Sequence, residues 1–186
     1  MNRLLQQAPN LLSALRLAAA PVTAALILQH ADAAALGIFV LAGLSDALDG
    51  FLAKRFALSS RFGAWLDPAA DKLLMLASFV TLTLTHRAPL WLTGLVIGRD
   101  VAIVLGIILA KALAAPLKIA PLLVGKISTV VQVIYVALLL LLSALDAGAP
   151  WPSRIGEACV AVLTVWSFCA YGLVWLKAVG AKRSLA

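Results

Sequence analysis

Residues 45–72 read SDALDGFLAKRFALSSRFGAWLDPAADK. The protein has eight acidic residues in 186, and four of them, Asp46, Asp49, Asp67 and Asp71, fall in this stretch. It lies between two apolar runs, FVLAGL before it and LLMLASFVTLTL after it. The chain is 63% hydrophobic and 12% charged, with a mean hydropathy of +1.05. A soluble domain carries about 25% charged residues. Long apolar runs separated by short polar gaps predict an all-α, polytopic membrane protein. A transmembrane barrel would instead show alternating segments of about ten residues, and these runs are longer and solidly apolar.

Six spans are expected, at about 10–29, 33–56, 60–86, 89–112, 122–144 and 153–178, within a single membrane domain covering 1–186. Asn10, behind Pro9, is placed to cap the first helix after a short amphipathic start. The cations fix an orientation. Arg3, Lys54, Arg55, Arg61, Lys111, Lys118, Lys126, Lys177, Lys182 and Arg183 fall on one side, and only Arg87 and Arg154 on the other. By the positive-inside rule both termini, and the acidic stretch, face the cytoplasm. The net charge of +7 then serves orientation and anionic head groups rather than nucleic acid. Cys159 and Cys169 have no metal-binding spacing and read as buried structural thiols.

Asp46 and Asp49 are three apart and share a helix face; Asp67 and Asp71 are four apart and share another, with Gly63 one turn before them. Four carboxylates near hydrocarbon repel one another, and an acid at a span's centre costs about 2.5–3.5 kcal/mol. Protonation, pairing with Lys54, Arg55 or Lys72, and binding of divalent cations are three ways out. An all-oxygen donor set suits magnesium, manganese or calcium rather than zinc. Gly50 leaves room for a bulky group, and Lys54 sits one turn beyond it, where it can meet a phosphate. Taken singly, other readings stand: Asp67 before Pro68 as a helix N-cap, Asp46 and Asp49 as an ion relay, the glycines as packing positions, the cations as head-group anchors. None of these accounts for the whole spacing.

The pattern D-x2-D-G-x2-A-K-x8-G-x3-D-x3-D, from Asp46 to Asp71, resembles the signature of the CDP-alcohol phosphatidyltransferases. The difference is Lys54, where the family has Arg; Arg55 follows it and is the alternative for that role. Asn10-Leu11-Leu12-Ser13-x2-Arg16 with Pro21, Gly98-Arg99-Asp100, and Gly125-Lys126-Ile127-Ser128-Thr129-x2-Gln132 resemble the glycerophospholipid branch. The resemblance implies a six-helix enzyme, usually a homodimer, in the cytoplasmic membrane with its site facing the cytoplasm. It would transfer a phosphatidyl group from CDP-diacylglycerol to an alcohol, releasing CMP. Asp46, Asp49, Asp67 and Asp71 would hold two divalent cations, Mg2+ or Mn2+, with Asp71 also the general base. Asp49, Gly50, Ala53, Lys54 and Gly63 would bind the CDP moiety.

Two acceptors compete, phosphatidylglycerol (giving cardiolipin) and sn-glycerol 3-phosphate (giving phosphatidylglycerol phosphate). Both carry a phosphate, for which Arg99, Lys118, Lys126 and Arg16 are the candidate cations. Arg99 lies inside an apolar run and needs a partner or a polar pocket; Asp100, its neighbour in sequence, is not expected to face it. The glycerol 3-phosphate branch usually has Ser-Arg-Glu where Gly98-Arg99-Asp100 stands here, which favours phosphatidylglycerol. The competing class is a small cation- or proton-coupled transporter, whose acids would line a path across the bilayer.

Overall fold

The computed structural model describes the backbone of residues 3–56, 63–112, 122–147 and 150–183, and the side chains of residues 14–45, 70–110, 112, 122–147 and 152–176. Among these residues the secondary structure is entirely helical: α1 (Arg3–Leu28), α2 (Asp32–Phe56), α3 (Gly63–Leu84), α4 (Leu90–Ala112), α5 (Leu123–Ala144) and α6 (Pro150–Arg183). Three segments, Leu90–Ala110, Leu123–Ala144 and Pro152–Leu176, are long and apolar enough to cross a bilayer, and Ala14–Leu28 and Asp32–Ser45 are shorter apolar helices. Large apolar side chains such as Leu105, Ile108, Ile134, Val162 and Trp166 are exposed, and so are Cys159 and Cys169, against the expectation of buried thiols. That surface would be a liability in water and is the expected one in lipid. The chain is an integral membrane protein.

Some helix ends differ from expectation. α1 begins at Arg3 and runs through Pro9 and Asn10, so Asn10 is not a cap. Leu4-Leu5-Gln6-Gln7-Ala8 are strong helix formers, and they carry the helix across the one backbone bond that Pro9 removes. α6 starts at Pro150 rather than near 153; Pro150 and Pro152 both sit in its first turn, where a missing N–H costs little.

The helices form two compact units. The first takes α1, α2, α3 and α5 from Val136 on; the second takes α4, α5 up to Tyr135, and α6. In the first unit α1 packs against both α2 and α3. Its buried face is Arg16, Ala19, Ala20, Thr23 and Ile27, a spacing of three and four. Ala35, Phe39 and Ala42 of α2, and Ala70, Leu74, Ser78, Phe79 and Leu82 of α3, are buried there too. The alanines let backbones approach closely, which lipid-embedded helices rely on because no hydrophobic force separates them from lipid tails. The hydroxyls of α3 are satisfied within the helix: Ser78, Thr81, Thr83 and Thr85 donate to the carbonyls of Leu74, Ala77, Phe79 and Thr81 at 2.7–2.9 Å.

One end of this unit is closed by repeated geometry. α1, α3 and α5 each stop with a left-handed residue, His30 (φ 58°), His86 (φ 59°) and Asp146 (φ 47°). After each, the next N–H reaches back to Leu26, Leu82 or Leu142 at 2.8–3.0 Å, the six-to-one bond of a Schellman cap. Arg87 joins two of these turns. Its guanidinium donates to His30 Nδ1 at 2.7 Å and is ion-paired with the carboxylate of Asp32, the first residue of α2. Asp32 is only 7% exposed, so the pair is largely desolvated.

In the second unit α4 packs on α6, and Trp175 Nε1 donates to the Gly106 carbonyl at 3.1 Å. Side-chain bonds link α5 to α6: Gln132 Nε2 donates to Thr164 Oγ1 at 3.2 Å and, within α5, to Ser128 Oγ at 3.4 Å. Gly125 is needed where it stands. A Cβ there would lie 2.9 Å from Tyr171 Oη, 3.0 Å from Tyr171 Cε2 and 3.2 Å from Arg99 Nη2.

Removing the Arg87 cation leaves Asp32 buried and charged. Arg87→Met is expected to cost about 3 kcal/mol and to lower the thermal midpoint of the detergent-solubilised protein; adding Asp32→Asn should recover part of the loss. The two motif glycines should separate in the same measurement. Gly125→Ala lowers the midpoint because Tyr171 or Arg99 must move. Gly98→Ala, with nothing within 4 Å of its new carbon, is neutral or gains about 0.5–1 kcal/mol from helix propensity.

Candidate active site

The acidic signature falls at the end of α2 and the start of α3. Asp46, Asp49, Gly50, Ala53 and Lys54 lie in α2, and Gly63 and Asp67 in α3, but their side chains are outside the described residues, as are those of Arg55 and Arg61. The backbone nonetheless decides one question. α3 is continuous from Gly63 through Asp67 and Pro68, so Asp67 sits a full turn inside the helix and is not its N-cap. Gly63, Asp67 and Asp71 are therefore successive positions, four apart, on one face of one helix. Pro68 lies in the second turn and removes one backbone bond. Asp71 is half-buried and Lys72 exposed.

Arg16 reaches the same end of the first unit. It is 1% exposed and lines a cavity of about 290 Å3 between α1 and α2, whose wall is otherwise Leu15, Ala18, Ala19, Val22, Ile38, Leu41, Ala42 and Ser45. Ser45 immediately precedes Asp46. Arg16 is thus a guanidinium buried in the otherwise largely apolar wall of that cavity.

Among the described residues no three acidic, histidine or cysteine side chains converge, and only Asp71 of the quartet has a described side chain. The fit of a metal is therefore tested on donor chemistry. Four carboxylates, with Asp67 and Asp71 sharing one face of α3, are a hard, oxygen-only set that suits Mg2+ or Mn2+.

The second unit holds the other charged centre. Arg99 lies within the apolar run of α4 and is 7% exposed. Its Nε and Nη2 both donate to Ser167 Oγ of α6, at 3.2 and 2.6 Å. Nη1 is paired with Asp100 Oδ1 at 2.6 Å, against the sequence expectation that neighbours on a helix do not meet. They are separated around the helix by about 100°, but the arginine side chain is long enough to fold back across that angle. The guanidinium carbon stands 5.8 Å from the centre of the Tyr171 ring, within cation–π range. Tyr171 Oη accepts from the Leu122 N–H at 3.2 Å, which ties α6 to the residue preceding α5. Lys126 is exposed in the first turn of α5, next to Gly125. Lys118 lies outside the described residues.

Ser167 and Tyr171 were not singled out from the sequence. The available signal was spacing. Thr164, Ser167 and Tyr171 recur at three and four on α6, as Gly125, Ser128 and Gln132 do on α5, and the Gln132–Thr164 bond joins the two stripes.

Comparison with known proteins shows what the chain is similar to. A curated protein named cardiolipin synthase (CMP-forming) from Rattus norvegicus is 37% identical over 145 residues, covering 69% of this chain and 48% of that protein. One of the same name from Streptomyces coelicolor is 36% identical over 175 residues, covering 90% of this chain and 77% of that protein. The CDP-diacylglycerol–glycerol-3-phosphate 3-phosphatidyltransferase of Bacillus subtilis is 38% identical over 104 residues, covering 56% of this chain and 53% of that protein. The chain spans about half the length of the mammalian relatives it matches. The family model for CDP-alcohol phosphatidyltransferases matches residues 6–180, from the first turns of α1 nearly to the end of α6, and the chain belongs to that family.

Proposed function

We propose that the chain transfers a phosphatidyl group from CDP-diacylglycerol to phosphatidylglycerol, giving cardiolipin and CMP. The observation that carries the reading is the unbroken course of α3 through Asp67 and Pro68, which keeps Gly63, Asp67 and Asp71 in the register the family signature requires. The names of the rat and Streptomyces relatives support the acceptor. The Bacillus relative supports the second reading, with sn-glycerol 3-phosphate as acceptor.

In this reading the acceptor hydroxyl oxygen attacks the phosphorus that carries diacylglycerol. The new P–O bond forms as the bond to the CMP phosphate oxygen breaks, and CMP leaves with the electron pair. Asp71, half-buried in α3, takes the hydroxyl proton. Asp49, Gly50, Ala53 and Gly63 bind the CDP moiety; the glycines admit it to the backbone, and Lys54, with Arg55 beside it, meets the diphosphate. Asp46, Asp49, Asp67 and Asp71 would hold two divalent cations, which would neutralise charge at the diphosphate. Arg99, Lys126, Lys118 and Arg16 supply the positive charge that a phosphate-bearing acceptor needs.

The same reading includes six membrane crossings in one domain, both termini and the site on the cytoplasmic face of the inner membrane, and a homodimer. A transport function has less to support it. Arg99, paired with Asp100, is bonded to Ser167 rather than forming a link in a chain of acids.

The test is CMP release and lipid product from purified protein given CDP-diacylglycerol with either acceptor, with and without Mg2+ or Mn2+. Metal-dependent cardiolipin formation from phosphatidylglycerol is expected. Asp71→Asn should lower turnover by at least about 100-fold, the scale of a lost general base, and Asp67→Asn should lower it comparably by removing a carboxylate of the cation set. Product from glycerol 3-phosphate alone reverses the acceptor assignment, and no CMP with either alcohol ends the enzyme reading.

A further inference from the structure

We propose that Ser167 and Tyr171 of α6 are positioning residues for the acceptor: they aim the Arg99 guanidinium at the acceptor's phosphate. This rests on the assignment of Arg99 to the acceptor made above. An arginine has five N–H donors in a fixed planar fork. Ser167 Oγ takes Nε–H and one N–H of Nη2, and Asp100 takes one N–H of Nη1. Among the described residues one N–H on each terminal nitrogen is left, the number a phosphate takes in a bidentate contact.

The chemistry of the two partners divides the work. Asp100 offsets charge. Ser167 does not: its hydroxyl oxygen is neutral, and by accepting from two nitrogens at once it fixes the rotation of the guanidinium plane while leaving the group cationic. Tyr171 covers the guanidinium from a ring centre 5.8 Å away, and its hydroxyl is held by the Leu122 N–H, so the ring cannot swing without breaking that bond. Gly125 admits this pair, since a Cβ there would stand 2.9 Å from Tyr171 Oη and 3.2 Å from Arg99 Nη2. The face of α6 that carries Ser167 and Tyr171 thus has an electrostatic consequence beyond packing. The class of ligand it serves is an alcohol bearing a phosphate, whether the phosphodiester of a phospholipid or the monoester of glycerol 3-phosphate.

The experiment is steady-state kinetics of the full chain in detergent, varying each acceptor at saturating CDP-diacylglycerol and then the reverse. Ser167→Ala should raise the KM of the acceptor that is used by about ten-fold, the scale of a hydrogen bond to a charged group. The KM for CDP-diacylglycerol should be unchanged and kcat within about two-fold. Ser167→Thr, which keeps the oxygen, should restore the acceptor KM; Ser167→Val, of the same shape as threonine without it, should not, and serves if the alanine variant fails to fold. Tyr171→Leu should behave like Ser167→Ala, and Tyr171→Phe, which keeps the ring, should fall between it and the native protein. Arg99→Lys is the reference. If it raises the acceptor KM while Ser167→Ala and Ser167→Val do not, positioning is overturned and the acceptor role of Arg99 stands. If Arg99→Lys leaves the acceptor KM unchanged, the acceptor role itself fails and the proposal with it. Equal changes in both KM values, or no rescue by threonine, would show a merely structural serine and overturn the proposal. The phosphatidylglycerol and glycerol 3-phosphate arms identify which phosphate is read.

Discussion

A charge or hydroxyl in hydrocarbon must find its partners inside the protein, because no water is there to supply them. That constraint arranges several of the polar groups among the described residues. The hydroxyls of Ser78, Thr81, Thr83 and Thr85 turn back on their own helix. Gln132 cannot satisfy its amide that way and reaches across to Thr164. Arg99 needs more still and gathers Ser167, Asp100 and the Tyr171 ring around it. The larger the polar group, the more helices its satisfaction recruits, so the charged residues also determine which helices are held together.

Arg87 and Arg99 show two uses of one side chain. Arg87 sits at a turn, paired with a buried carboxylate and donating to an imidazole nitrogen. Because a guanidinium has only donors, His30 Nδ1 accepts in that contact. The result is a staple between the start of α2 and the turn after α3. Arg99 is paired with a carboxylate too, that of Asp100, but it also donates twice to the neutral hydroxyl of Ser167, which fixes the plane of the guanidinium.

The helices were legible because an apolar run of bilayer length has few alternatives. Their ends were not. Pro9 and Asn10 have the composition of a helix start, yet the helix formers upstream carry α1 back to Arg3. Asp67-Pro68 reads equally well as a cap, and only the backbone course of α3 separates the two. The acidic spacing and Arg99 could be read because each breaks the surrounding apolar pattern. Ser167 and Tyr171 could not be read in the same way: a serine in a membrane helix usually bonds its own backbone, as Ser78 does, and sequence does not say which serine will face a guanidinium on another helix. Asp100 was misjudged because angular separation around a helix constrains Cβ atoms, not the end of a long arginine.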